Sequence, residues 1–222
     1  HIGTYSTVPT RTGLGTSSAM IIGLINCIKK YKNLKLTDKK IVEDAYKIER
    51  KICRQHGGWQ DQIVSQYGGI LDIKISKKEK INEKKIKISN KIKSVIQKNL
   101  LLVYTRKKRD SSQVILSQKK RIKDILKYYD KIKLLNKPIL SAFKNGNITN
   151  IGKIFNQHWK LKKSLSSKIT DNNINKFYSD LINKYKILGG KLIGAGGGGF
   201  ILVCTKDKKS LCKQLENKKI NY

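Results

Sequence analysis

Acidic residues are scarce: the 222-residue chain carries 15 Asp and Glu against 49 Lys and Arg, a formal net charge of +34. Such a surplus invites a nucleic-acid reading, because summed cationic fields attract phosphate polymers. Arginine is scarce too, however, and Arg11, Arg50, Arg54, Arg106, Arg109 and Arg121 are all there is. The remaining charge is lysine, a solvated point charge poorly suited to bidentate reading of bases. It is spread over every segment with abundant Ile and Asn, a composition bias on solvated faces, and no nucleic-acid partner is expected. Cysteine is limited to Cys27, Cys53, Cys204 and Cys212. They form no C-x-x-C pair, which excludes the usual zinc and redox motifs and leaves reduced, mostly buried thiols as the expectation. Long apolar runs are missing. The longest, Ala19 to Ile28, is interrupted by Asn26 and is about half the roughly 20 residues a membrane span needs. No basic stretch leads into an apolar segment with a cleavage site, so a signal peptide is not read and a cytoplasmic address is expected. With 38% hydrophobic residues and 17 glycines, the chain can build a core and is not a disordered basic tail. Its length suits one large domain or two small ones.

The first residue is His1, and a glycine-rich turn follows within a few positions. This reads as an N-terminally truncated fragment. His1 to Val8 is a short, partly β-branched run, expected to be a strand ended by Pro9. Thr16 to Lys30 carries Met20, Ile21, Leu24, Ile25 and Ile28 at helical spacing. Thr37 is placed to cap a helix from Asp38 to about Arg54, in which Ile41, Ala45, Ile48 and Ile52 recur every three or four residues and Glu49 lies beside the stripe. Gly57 and Gly58 break it. A polar segment, Trp59 to Tyr67, then precedes a strand at Ile70 to Ile75. Ser76 to Lys98 is rich in Lys, Ile and Asn, with Lys85-Ile86-Lys87-Ile88 alternating as a solvated strand would, and is the expected domain junction. Leu100 to Thr105 is an apolar strand. Helices follow around Ser112 to Leu135, Lys137 to Lys144, Ile148 to Leu165 and Asn172 to Leu188, then a strand at Phe200 to Thr205 and a helix at Asp207 to Glu216. Strands and helices mixed without strict alternation give an α+β, two-layer fold.

Three segments suit chemistry. In Pro9-Thr10-Arg11-Thr12-Gly13-Leu14-Gly15-Thr16-Ser17-Ser18-Ala19, glycines allow close backbone approach to an anion, and the N–H groups and dipole of a following helix favour negative charge. No Lys-Ser/Thr follows the glycines, which excludes a Walker A loop. The alternative is a glycine turn with a Ser/Thr cap. In Gly57-Gly58-Trp59-Gln60-Asp61-Gln62, an acid stands 12 positions after Glu49. One carboxylate of such a pair can accept a hydroxyl proton while the other holds magnesium; the alternative makes Asp61 a helix cap. Gly194-Ala195-Gly196-Gly197-Gly198-Gly199 satisfies G-x-G-x-x-G, but the Phe200-Ile201-Leu202-Val203-Cys204 that follows reads as a strand, so a dinucleotide fold is excluded. A hairpin lined with glycine brings backbone close to a ligand or to another loop.

In this order and spacing the three segments resemble the GHMP small-molecule kinases. Gly58-Trp59-Gln60-Asp61-Gln62, Tyr67-Gly68-Gly69, His158 to Ser166 and Gly189-Gly190-Lys191 are most similar to the D-glycero-D-manno-heptose 7-phosphate kinases within that superfamily. The resemblance covers essentially the whole chain and corresponds to about the C-terminal two thirds of such an enzyme. It implies an N-terminal α+β domain, residues 1–92 and incomplete, and a ferredoxin-like C-terminal domain, residues 93–222. It also implies phosphoryl transfer from ATP to the anomeric hydroxyl of a sugar or sugar phosphate, heptose 7-phosphate above all, with Mg2+ as cofactor. A fucose- or galactose-type kinase and a non-catalytic nucleotide- or sugar-binding remnant are the alternatives.

By motif position, Asp61 would be the catalytic base or orienting carboxylate. Gly13, Leu14, Gly15, Thr16, Ser17 and Ser18 would bind the triphosphate with Gly196, Gly197 and Gly198, and Ser17 and Glu49 would hold the metal. Whether Arg11 touches phosphate or faces solvent stays open. Around His158, a helix would put Trp159 in the core and Lys162 and Lys163 on a solvated face; alternatively Lys162 or Lys163 grips a sugar phosphate with Arg109. The family's first motif, a Gly-Gly-Gly-Thr-Asp type segment that helps bind sugar, is not found in these residues. Missing first strands would leave apolar surface exposed, and the fragment is expected to be poorly stable and inactive.

Overall fold

The computed structural model describes residues 1–9 and 11–222. They form two compact units: one comprises the residues before Arg11 with Gly15–Lys87, the other Arg11–Leu14 with Ile88–Tyr222. The division therefore passes through the first glycine motif, between Leu14 and Gly15.

In the first unit, three helices pack over a hairpin. Helix α1 (Thr16–Tyr31) turns Ile22 inward, while α2 (Asp38–Tyr46) contributes Ile41, Val42 and Ala45 and α3 (Gln60–Tyr67) contributes Ile63. Thr37 caps α2 as its position suggested, its hydroxyl accepting from the Lys40 N–H at 3.2 Å. The polar segment after Gly58 is a helix because Gln62 and Ile63 share a fully buried face. Strands β1 (Leu71–Ile75) and β2 (Ile81–Lys85) pair antiparallel, with Ile73 opposite Glu83 and Ile75 opposite Ile81. Leu71, Ile73 and Ile81 pack on the helices, and the positions alternating with them are Asp72, Lys74, Asn82 and Lys84, the alternation a one-sided hairpin requires. His1–Val8 is not a strand: it is almost entirely exposed, and its backbone joins no ladder. Met20, Ile28 and Tyr31 stand exposed on α1, so apolar surface is left open there.

In the second unit, β3 (Leu100–Tyr104), β4 (Gly189–Leu192) and β5 (Phe200–Cys204) form an antiparallel sheet in the order β3-β5-β4. The C-terminal residues lie beside β3, where Asn221 accepts from the Tyr104 N–H at 2.9 Å. Counting that segment as a fourth strand gives the order fourth-first-third-second of a ferredoxin-like sheet. Leu101, Val103, Ile201 and Val203 point into a core shared with Ile125, Trp159, Leu181 and Leu211. A second cluster packs Phe155, Ile151 and Ala142 around Cys204. Of the helices α4 (Asn90–Asn99), α5 (Ser111–Lys120), α6 (Ile122–Leu134), α7 (Asn136–Lys144), α8 (Ile148–Lys163), α9 (Asn172–Asn183) and α10 (Lys208–Asn217), α8 comes nearest the sheet. It does so because a Cβ on Gly189 of β4 would collide with the carbonyl of Gly152.

Three local expectations are corrected. The solvated strand falls at Ile81–Lys85, and the residues after it form α4, capped by Ser89 and amphipathic through Ile92, Val95 and Ile96. The span Ser112 to Leu135 is two helices, because the Arg121 N–H turns back to the Gln118 carbonyl (3.1 Å) and closes α5. All four cysteines are free thiols, but Cys27 and Cys53 are exposed and only Cys204 is buried.

Candidate active site

Glu49 owes its position to a change of helical pitch. The α-helical stripe through Ile41 and Ala45 would continue to Ile48 and Ile52, yet Lys47–Ile52 is a π-helix, whose wider turn carries one extra residue. Glu49 thereby moves inward to 4% exposure, whereas Ile52 swings out to 67%.

The buried carboxylate is held by four donors. Ser17 Oγ donates to Oε1, Ser18 Oγ to Oε2 at 2.6 Å and Gln62 Nε2 to Oε2 at 2.5 Å, while an Arg50 guanidinium nitrogen lies 3.5 Å from Oε1. A buried ion survives only when paired and hydrogen-bonded in this way. Ser18, Gln62 and Arg50 are thus site residues for which motif position gave no such role. The motif's amides and the arginine after Glu49 were the available signal. Gln62 Oε1 is buried with no hydrogen-bond partner among the described residues.

Asp61 sits in the first turn of α3, and α3 packs on α1. A Cβ on Gly15 would lie 3.5 Å from Asp61 Cβ and Cγ, so the carboxyl group lies beside the start of α1. Gly15 is the α1 N-cap at φ +70°, a left-handed conformation that favours glycine. Its residue type supplies no capping side chain, and no acid occupies the first turn. The amides of Thr16, Ser17 and Ser18 therefore form an uncapped helix start of the kind that receives anions. Asp61, Gly15, Ser17, Ser18 and Glu49 are brought together within the first unit.

In the second unit the late glycine loop packs on Arg11–Leu14. Gly199, at φ +92°, has the Thr12 carbonyl where a side chain would be, and the Arg109 N–H donates to the Arg11 carbonyl at 3.2 Å. The Arg11 side chain itself is exposed. Arg109 is buried; its guanidinium donates to the carbonyls of Ile193 (3.1 Å) and Gly196 (3.4 Å) and occupies the space beside Gly13 and Gly194. Gly13, Gly194 and Gly196 thus gather around one cation, whereas Gly197 lies against Lys168 and Val114 and Gly198 against the Lys107 carbonyl.

Trp159 is core, as expected, but Lys162 is not on a solvated face. It is 8% exposed, and Nζ donates to the carbonyls of Leu192 (2.9 Å) and Gly194. Burial lowers its pKa to about 7, helped by the charges of Lys191 and Arg109. Lys163 remains half-buried, 5.7 Å from the Trp159 ring centroid. His158 is pushed down to about 3, first by burial and then by Lys191 and Lys162.

Among the described residues no group of three or more His, Cys, Asp or Glu side chains gathers as a metal cage. The Ser17 hydroxyl, the Glu49 carboxylate and the orphaned Gln62 oxygen are nevertheless all hard oxygen donors. They fit Mg2+, which takes one or two protein ligands and completes its shell with water and substrate phosphates. No helix of the described residues is long and apolar enough to cross a membrane.

Comparison with known proteins gives the family and the fold. Against the D-glycero-alpha-D-manno-heptose 7-phosphate kinase of Campylobacter jejuni the chain is 28% identical over 216 residues, covering 96% of this chain and 63% of that protein. Against the mevalonate kinase of Methanocaldococcus jannaschii it is 29% identical over 225 residues, covering 99% and 66%. The crystal structure of a D-glycero-D-manno-heptose 1-phosphate kinase from Bacteroides thetaiotaomicron superposes with a TM-score of 0.77 at 22% identity, over 97% of this chain and 61% of that one, and so shares the fold. The chain therefore spans a little under two thirds of the length of such relatives. Residues 1–69 match the GHMP kinases N terminal domain and residues 139–217 the GHMP kinases C terminal model, and with α1, Glu49, Asp61 and the late glycine loop lying in or between those matches, the chain belongs to the GHMP kinases.

Proposed function

We propose that this chain carries the catalytic part of an ATP-dependent sugar kinase acting on the anomeric hydroxyl of a sugar phosphate, D-glycero-D-manno-heptose 7-phosphate being the first acceptor to test. The observation that carries the reading is Asp61 beside the glycine-capped start of α1, with Ser17 bonded to Glu49 one turn away. Likeness to a heptose 7-phosphate kinase over 96% of the chain supports the choice of acceptor.

In this reading the amides of Thr16, Ser17 and Ser18 receive the donor's phosphate oxygens, and Gly13, Leu14 and Gly15 let the backbone approach them. Glu49 and Ser17 would hold Mg2+, which when bound neutralises charge on the phosphates. Ser18 and Gln62 keep Glu49 oriented. Asp61 accepts the proton of the attacking hydroxyl as the phosphoryl group leaves ADP. Phosphoryl transfer asks the protein mainly for such positioning and charge stabilisation. By motif position Gly196, Gly197 and Gly198 are the late glycine loop of the second unit, in which Arg109 holds the Gly196 carbonyl. ATP, Mg2+, the sugar acceptor and a cytoplasmic setting all follow from this proposal.

The test, made with the sugar-binding segment of a relative restored ahead of this chain, is Mg2+-dependent release of ADP from ATP with heptose 7-phosphate, fucose, galactose and mevalonate as acceptors. Turnover confined to the phosphorylated sugar is expected. Turnover only with mevalonate overturns the acceptor class, and ATP binding without turnover on any acceptor points instead to a non-catalytic remnant.

A further inference from the structure

Arg50 links the Glu49 carboxylate to the segment that leads into Asp61. It follows Glu49 in the π-turn; Nη1 lies 3.5 Å from Glu49 Oε1, and Nη2 donates to the Gly58 carbonyl at 3.3 Å. The side chain is enclosed, only 10% exposed. A Cβ on Gly57 would stand 2.6 Å from Cζ and Nη2, so glycine at this position leaves the space that the guanidinium fills. On the other side, Gln62 Nε2 donates to Glu49 Oε2 at 2.5 Å. The two oxygens of one carboxylate are therefore tied to Gly58 and to Gln62, and Asp61 lies in the chain between those two residues. Two further contacts join the same pieces without touching the carboxylate. The Gln55 N–H donates to the Glu49 carbonyl at 3.0 Å, and Tyr46, which ends α2, stacks on Trp59 with ring centroids 3.5 Å apart.

This arrangement is costly as mere packing. Arg50 Nε is buried with no acceptor among the described residues, and a desolvated guanidinium with an open donor is poorly suited to filling space. What the planar fork does well is face two oxygens at once in a fixed geometry, which the single ammonium of lysine does not. We propose that Arg50 is a positioning residue for phosphoryl transfer, bracing the Gly57–Gly58 loop against the Glu49 carboxylate and so setting the distance between Glu49 and Asp61. This rests on the kinase reading above and adds the residue that keeps the metal-holding carboxylate and the proton-accepting one in register. With Gln62 alone, Glu49 is tied to α3 through one oxygen and the pair can pivot; the second tie removes that freedom. Reacting groups held in this way by a supporting shell are sensitive to small shifts, and a displacement of about 1 Å costs on the order of 10²-fold in rate.

The experiment compares wild type, Arg50→Lys, Arg50→Ala and Gly57→Ala in the protein restored with the sugar-binding segment of a relative, with circular dichroism confirming folding. In each variant kcat for ADP release should fall about 10- to 100-fold while the KM values for ATP and acceptor stay within about twofold, the pattern of geometry lost in the transition state. A residue that only stabilises the fold would lower the melting temperature without that split. Millimolar guanidinium should restore part of kcat in Arg50→Ala and raise its melting temperature, where potassium at equal ionic strength does neither; in Gly57→Ala, whose methyl group fills the space, guanidinium should have no effect. Independently of activity, the amide hydrogens of Gln55 and Ile63, which donate to the Glu49 and Trp59 carbonyls, should exchange about 10-fold faster in Arg50→Ala. Wild-type kcat in folded Arg50→Ala, or unchanged exchange of both amides, overturns the proposal and leaves the loop to the Tyr46–Trp59 stack. Wild-type kcat in Arg50→Lys reduces Arg50 to a counter-charge and overturns the brace as well. Arg50→Lys and Gly57→Ala decide the matter if Arg50→Ala does not fold. A restored wild type that releases no ADP on any acceptor removes the kinase reading alone, because exchange and melting still decide whether Arg50 braces the loop.

Discussion

The hydroxyl of Ser18 donates to Oε2 of Glu49 at 2.6 Å across the interface between α1 and the π-turn. Both partners are buried, so the bond ties the helix that carries the anion-receiving amides to the carboxylate proposed to hold the metal. Ser18→Ala removes one of four donors from a charge that water cannot reach. The expected loss is about 1–3 kcal/mol of unfolding free energy, measured as a lower urea midpoint. The apparent Mg2+ requirement should rise with it, because Glu49 is then less firmly oriented. An unchanged midpoint would show that solvent reaches the carboxylate.

Asp61→Asn keeps the size of the side chain beside Gly15 and removes its basicity. In the protein restored with the sugar-binding segment, with MgATP and a sugar phosphate, kcat should fall by about 10²–10⁴, read as ADP release, with the KM for ATP little changed. A rate equal to wild type would remove Asp61 from proton transfer. A parallel melt separates loss of chemistry from loss of fold.

The contiguous candidate segments of each unit were legible in the sequence, and the parts made by folding were not. Gly13 to Ser18, Glu49 with Asp61 and the Gly194–Gly199 run announce themselves by glycine spacing and by acids after a break. The π-turn does not: Ile48 and Ile52 fit an α-helical stripe equally well, and only packing shows that the extra residue brings Glu49 in. Lys162 was hidden by its background, since one buried lysine looks like its many solvated neighbours and its partners are backbone carbonyls 30 and 32 residues away. Helix α4 was masked similarly, its Ile92, Val95 and Ile96 set among lysines. His1–Val8 failed as a strand for a different reason: β propensity needs a pairing edge, and the described residues offer it none.

His158 gives stability a pH dependence of predictable sign. Its pKa is about 3 in the folded protein, against 6.5 for the ordinary side chain, chiefly because it is buried. Between those values the unfolded chain binds more protons than the folded one, so stability is complete above about pH 6.5 and falls as the pH drops towards 3. One such group contributes a slope of up to about 1.4 kcal/mol per pH unit. Urea midpoints taken from pH 6.5 to 4.5 should fall in wild type and fall less steeply in His158→Phe. Equal slopes would mean that His158 is solvated enough to protonate in place.

Gly189 sets how closely β4 approaches α8. A methyl group there would meet the Asn156 side-chain amide and the Gly152 carbonyl, and the carbonyl cannot retreat without moving the helix from the sheet. The same strand edge is satisfied by Tyr178, whose hydroxyl donates to the Gly190 carbonyl at 2.8 Å and accepts from the Gly190 N–H at 3.1 Å, so a shift would strain those bonds as well. Gly189→Ala should therefore cost about 1–3 kcal/mol, the usual range for overpacking. Since β4 runs directly into the glycine loop through Leu192, whose carbonyl Lys162 holds, displacing the strand should also loosen that loop. A urea melt and amide hydrogen exchange of the loop on the same preparation check both expectations. A stable variant with wild-type protection in the loop would show that α8 can move aside without disturbing it, and would place the rigid support of that loop in Arg109 instead.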